Sequence, residues 1–142
     1  MSSVSTSGEI AYLDTSAYVK LVLGEPESTA LREELSRWQA RVSSRLLIVE
    51  SLRACSRYGA AFATRALAGL SDLALLPMDD ALLHAAAALQ PPSLRSLDAI
   101  HLATALSIRD CVGLVFCYDE RLVDAAVSAG LVVARPGPAS AS

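Results

Sequence analysis

Four acids in this chain are placed to do chemistry together: Asp14, Glu50, Asp98 and Asp119. Asp14 and Asp119 each close a short apolar run, residues 10–13 and 113–117, and each is followed by residues that begin a helix. In a parallel sheet such strand-to-helix turns open on one edge, where open α/β folds bind ligands. Asp98 falls in the first turn of a predicted helix that leads into the second of these strands. Glu50 is the only acid of its predicted helix and lies beside the apolar residues Leu46, Leu47, Val49, Leu52 and Cys55.

Carboxylates gathered in one place repel, and some stay protonated near neutral pH unless a cation joins them. Oxygen donors with no His or Cys among them suit Mg²⁺ or Mn²⁺ rather than zinc. Such an ion lowers the pKa of bound water and holds a phosphodiester in line for attack; a pair of ions about 3.5–4 Å apart steadies both the entering and the leaving oxygen. Each acid also has a plain structural reading. Asp14 and Asp119 can cap helices. Asp98 can favour a helix dipole. Glu50 can pair with Arg53 or Arg57 on the same helix face.

Other chemistries lack their parts. His84 and His101 have no Ser or Cys nucleophile pattern, and there is no Gly-rich phosphate loop and no G-x-S-x-G elbow. A phospho-aspartate receiver needs a late lysine, and the only lysine is Lys20. A haloacid-dehalogenase-like site needs a second Asp at the position of Ser16.

The elements that must position the acids alternate. Strands are expected at residues 10–13, 41–44, 73–76, 113–117 and 131–134. Helices are expected at 16–23, from Pro26 to about 39, at 45–58, 60–70, from Asp79 to 89, from a Ser96 cap through 97–109, and from 120 to 129 with Gly130 as C-terminal cap. Strands separated by one or two helices predict a three-layer α/β/α fold around a central, mostly parallel sheet of about five strands. Residues 1–9 read as a flexible N-terminal segment, 10–134 as a single domain and 135–142 as a flexible tail.

With 142 residues, 53% of them apolar, the chain can bury a core without disulfides or a structural metal. Cys55, Cys111 and Cys117 form no C-x-x-C pair and read as free thiols. No apolar run approaches the roughly 20 residues of a membrane span, and residues 1–9 do not have the form of a secretory signal. The expected location is the cytoplasm. A net charge of −3 argues against broad coating of a nucleic acid, though not against a local basic path. Arg45, Arg53 and Arg57, near Glu50, are candidates for that path. The aromatic residues that could stack unpaired bases read as mostly buried.

Four segments occur in a telling order: Tyr12-Leu13-Asp14-Thr15-Ser16-Ala17-Tyr18-Val19-Lys20-Leu21; Ser44-Arg45-Leu46-Leu47-Ile48-Val49-Glu50; Leu97-Asp98-Ala99-Ile100-His101-Leu102-Ala103-Thr104-Ala105; and Tyr118-Asp119-Glu120-Arg121-Leu122. Over about residues 10–134 the chain resembles PIN domains, and in particular the VapC-type toxins of bacterial toxin–antitoxin pairs. The resemblance implies a PIN-like fold and a Mg²⁺-dependent endoribonuclease, with Mn²⁺ as a substitute ion. It places Asp14, Glu50, Asp98 and Asp119 on the family's acidic quartet. Asp14 and Asp98 would be the firmest metal ligands, Glu50 would hold a metal or position its water, and Asp119 would complete the shell. It also implies an RNA substrate, a homodimer and a VapB-type antitoxin that blocks the site.

Cys117 departs from the pattern, since the family often has Thr or Ser there. A thiol donates more weakly than a hydroxyl, so lower activity or a changed metal preference is expected. His101 reads as a packing or supporting residue and not a general base, because a metal-bound water needs no imidazole to ionise. Two rival readings stand beside the ribonuclease: a catalytically silent PIN-like module that binds RNA or a partner, and a metal-dependent phosphatase or nuclease acting on DNA.

Overall fold

The computed structural model describes residues 8–138. The flexibility expected for residues 1–7 and 139–142 lies outside that range. The strands are β1 (Ile10–Leu13), β2 (Ala40–Ser44), β3 (Ala74–Leu76), β4 (Val112–Phe116) and β5 (Val133–Ala134). They form one sheet in the order β3-β2-β1-β4-β5, and every neighbouring pair is parallel. The helices are α1 (Thr15–Leu23), α2 (Ser28–Leu35), α3 (Leu46–Ser56), α4 (Ala60–Gly69), α5 (Asp80–Ala87), α6 (Ser96–Ser107) and α7 (Glu120–Ser128).

Alternation along β1 divides the core. Ala11 and Leu13 pack with Ala17, Leu31, Leu35 and Phe116 on the α1–α2 side. Tyr12 points the other way, onto Leu102, Ala105, Leu122 and Ala125 of α6 and α7. A third cluster, Tyr18, Val22, Leu47, Cys55, Ala66 and Leu70, joins α1 to α3 and α4. Because successive strand side chains face opposite sides, one central strand serves both outer layers. The layers and strand number match the expectation from the sequence.

The topology makes the crevice. The chain adds β2 and β3 on one side of β1, then crosses back to lay β4 and β5 on the other. The connections after β1 and β4 therefore diverge to opposite faces, and a cleft opens outside their carboxyl ends. Leu13 and Phe116 are register partners at that edge. Asp14 follows the first strand directly, and Asp119 follows the second after Cys117 and Tyr118.

Several boundaries differ from the sequence reading. The second helix begins at Ser28, not Pro26. The Ser28 hydroxyl accepts from the Glu25 N–H at 2.7 Å and donates to the Lys20 carbonyl at 2.5 Å, which holds residues 25–27 in a turn. That helix ends at Leu35, not 39. Ser96 lies inside α6 and is not its cap: Arg95 takes the N-cap position without a side-chain cap bond. The third and fifth strands are shorter than expected, and Leu131 turns its N–H to Ala126 instead of the sheet. Gly113 is required by a close approach, since a Cβ there would lie 2.2 Å from the Gly8 carbonyl oxygen and 2.6 Å from Trp38.

Candidate active site

Asp14 is both a cap and a site residue. Its Oδ1 accepts from the Ala17 N–H at 3.0 Å, closing the first turn of α1. The Ser16 hydroxyl lies 2.7 Å and 2.8 Å from its two oxygens. Cys117 Sγ donates to Oδ2 at 3.2 Å. The residue is 3% exposed. Among the described residues no Lys or Arg pairs with it. Burial pushes its pKa up, against the pull of Ser16, His101, the Ala17 N–H and Cys117.

Asp119 repeats the cap. Its Oδ1 accepts from the Arg121 and Leu122 N–H groups at 3.0 and 3.2 Å. Its Oδ2 accepts from Arg95 Nη2 at 2.7 Å, while Arg95 Nε donates to Asp98 Oδ2 at 2.9 Å. One guanidinium thus joins two of the four acids. Hydrogen bonding and charge from Asp98, then the charge of Asp119, raise the Arg95 pKa further, so it stays cationic.

Glu50 extends from α3 toward α1 and α6. Its Oε1 accepts from the Thr15 hydroxyl and lies 2.9 Å from His101 Nε2. The same Nε2 is 3.0 Å from Thr15 Oγ1, and Nδ1 is 2.8 Å from the Tyr12 hydroxyl. With Nε2–H facing Glu50 and Thr15 and Thr15 donating to Glu50, every contact is satisfied whether Nδ1 accepts from the Tyr12 hydroxyl or, in the protonated ring, donates to it. Burial pushes the Glu50 pKa up, but the bonds from His101 and Thr15, then the charges of His101 and Arg95, outweigh it and hold the carboxyl below its ordinary value. The alternative pairing with Arg53 or Arg57 does not occur among the described residues; both arginines are exposed.

The two strand ends are tied to each other. Tyr118 N–H donates to Ser16 Oγ at 2.8 Å, and Cys117 Sγ sits 3.6 Å from the Asp119 carbonyl. Glu50 joins through Thr15, the neighbour of Asp14. The structure therefore links Asp14, Glu50, Asp98 and Asp119 through short contacts at one edge of the sheet. Among the described residues no three His, Cys, Asp or Glu side chains close on a common point tightly enough to hold an ion as they stand. In its chemistry the donor set fits a hard divalent cation: carboxylate oxygens, with a buried Asp14 that pairs with no Lys or Arg among the described residues. A cavity of about 350 Å³ bounded by Tyr18, Arg32, Arg41 and Arg65 contains none of the four acids.

Sequence reasoning missed the roles of Tyr12, Thr15, Ser16 and Arg95. Arg95 had a visible signal, an Arg three residues before an Asp at a helix start. Tyr12, facing the α6 layer, had none without the tertiary fold. The expectation of mostly buried aromatics fails at Tyr58, which is 64% exposed.

Known proteins resemble the chain in sequence and in fold. The family model of the PIN domain matches residues 11–127. Ribonuclease VapC46 of Mycobacterium tuberculosis is 44% identical over 125 residues, which span 88% of this chain and 96% of its own. Ribonuclease VapC47 of the same species is 40% identical over 131 residues, 89% of this chain and 96% of its own. Among solved structures, Mycobacterium tuberculosis VapC20, described as a Sarcin-Ricin loop cleaving toxin, superposes with a TM-score of 0.70 at 18% identity, covering 89% of this chain and 99% of that one. VapBC2 from Rickettsia felis, bound to a DNA fragment from its promoter, gives 0.69 at 12% identity, covering 89% and 98%.

Proposed function

Because the chain belongs to the PIN domain family, and within it to the VapC ribonucleases, we propose that it is a Mg²⁺-dependent endoribonuclease and the toxin of a VapBC-type pair. The observation that carries this reading is the linked set of four acids in the switch-point crevice, Asp14, Glu50, Asp98 and Asp119. Asp14 and Asp98 would hold the metal, with Asp119 completing its shell and Glu50 holding a metal or positioning its water. Mn²⁺ would substitute. When bound, the ion would supply an ionised water and charge stabilisation at the phosphodiester.

The chain's own residues do the positioning. Ser16 and the Ala17 N–H fix the Asp14 carboxylate, so it does not rotate when an ion binds. His101, pinned by Tyr12, keeps Glu50 aimed and ionised. His101 acts behind the acids, and no proton transfer to substrate is assigned to it. Cys117 stands where a hydroxyl would donate to Asp14 and supplies a weaker bond. Arg45, Arg53 and Arg57 offer phosphate contacts beside Glu50. The VapC kinship supports a VapB-type antitoxin and a homodimer as the assembly. Among the described residues no helix is long and apolar enough to cross a membrane.

The test is cleavage of a mixed cellular RNA pool by the purified chain with Mg²⁺, with EDTA, and as Asp98→Asn. Discrete cuts that vanish in both controls are expected. Cleavage that survives Asp98→Asn would overturn the assignment of the site. Absence of cleavage with either ion, in antitoxin-free protein, would favour the silent module.

A further inference from the structure

Arg95 holds the same atoms that a cation would need. Its fork lands on Oδ2 of Asp98 and Oδ2 of Asp119. Asp119 has already given Oδ1 to the first turn of α7. Any ion that recruits Asp119 without unwinding that turn must take Oδ2, the oxygen that Arg95 occupies. The donors to Asp14 and Glu50 are different in kind. Hydroxyls, a thiol, a backbone N–H and an imidazole N–H can stay in place when a divalent ion arrives. A guanidinium cannot, because it repels the ion and competes for its ligands.

Arg95 is also built to leave. Its side chain is 54% exposed, against 12% for Asp98 and 32% for Asp119. It precedes the first residue of α6 in extended backbone and spends no side-chain group on capping that helix. Where it goes follows from its chemistry. A guanidinium matches the paired oxygens of a phosphate as well as those of a carboxylate. It stands at the N-terminus of a 12-residue helix, whose dipole also favours an anion.

We propose that Arg95 is a built-in counter-ion: it holds Asp98 and Asp119 in the metal-free protein, competes with the divalent ion for them, and passes to the phosphodiester of the RNA when released. The proposal rests on the ribonuclease reading and adds to it a residue with two sequential partners.

The experiment uses the full chain as wild type, Arg95→Gln and Arg95→Lys, with thermal melts to confirm that each folds. Mn²⁺ alone is titrated and the free ion followed by electron paramagnetic resonance. Steady-state cleavage of a single-stranded RNA is measured separately. Arg95→Gln is expected to bind Mn²⁺ about two- to fivefold more tightly, the scale of a partly exposed ion pair removed as competitor. It is expected to raise KM for RNA about tenfold, the scale of a lost charge-assisted bond. Arg95→Lys, which keeps the charge without the fork, should fall between the two on both readouts. An unchanged or weaker Mn²⁺ affinity in Arg95→Gln overturns the proposal, and so does an unchanged KM. Wild type that neither binds Mn²⁺ nor cuts RNA overturns the ribonuclease reading and this one with it. Wild type that does both, beside an indifferent Arg95→Gln, overturns this inference alone.

Discussion

On the β1 side of the crevice, carboxylates are held by hydroxyls, a thiol, a backbone N–H and an imidazole, with no Lys or Arg bonded to them among the described residues. Ser16, the Ala17 N–H and Cys117 hold Asp14, while Thr15 and His101 hold Glu50. On the β4 side a full positive charge, Arg95, spans Asp98 and Asp119. The first arrangement fixes direction and leaves the negative charge in place. The second cancels charge and is looser, because the pair is more exposed and screened by solvent. The difference teaches that geometry and neutralisation are supplied by separate residues here. Substitutions should therefore have different signatures on the two sides.

The most damaging change should be on the buried side. Asp14→Asn keeps the cap acceptor and removes the charge, and cleavage should fall about a thousandfold, the scale of several kcal/mol of lost ion and transition-state stabilisation. Single-turnover cleavage with saturating Mg²⁺ measures it; a loss under tenfold would mean that Asp14 is only a cap. His101→Leu removes the donor to Glu50 and one partner of the Tyr12 hydroxyl. It should cost about 10- to 100-fold in activity, as for other groups that orient ligands, with a lower Tm alongside. A lower Tm with full activity would make His101 packing alone. Asp119→Asn keeps an acceptor for α7 but weakens the Arg95 bridge. About a tenfold loss is expected, smaller than at Asp14 because this side is wetter, and the ratio of the two losses is the sharpest reading of the contrast. Cys117→Ser should raise kcat/KM by about two- to threefold, since a hydroxyl donates more strongly to Asp14; a fall would show that the thiol is the better fit. Ser51→Ala is the control. This buried hydroxyl beside Glu50 has no hydrogen-bond partner, so its loss should add about 1 kcal/mol in denaturant melts and leave cleavage unchanged.

Much of this was legible along the chain, for identifiable reasons. Period and punctuation gave the layers: an apolar run ending in Asp, then helix-forming residues, marks both strand ends that flank the crevice. Helix caps were legible in part. Asp79, read as the first residue of a helix, is instead its cap through the Leu82 N–H, and Ser96, read as a cap, lies inside α6, because a residue type favours a cap without compelling one. Neighbour spacing misled at Glu50. Its helix offered Arg53 and Arg57 as partners, and the fold instead brought His101 and Thr15 from elements 51 and 35 residues away. Such contacts depend on how α3 and α6 stand on the sheet, which no local pattern encodes. The start of α2 was misplaced for the opposite reason: one hydroxyl, Ser28, stabilises a turn that Pro26 alone would have let into the helix.

The strand order also governs when the cleft can form as the chain is synthesised. β1 emerges first, but the partner strand that forms the other wall of the cleft is β4, after α6. Chains grow from the N-terminus and fold as they lengthen. A chain that stops between α6 and β4 carries Asp14, Glu50 and Asp98 but no opposite wall and no Asp119. On the proposed function such a chain is expected to be inactive in the RNA-cleavage assay, because the four acids come together only once β4 and Asp119 have been added.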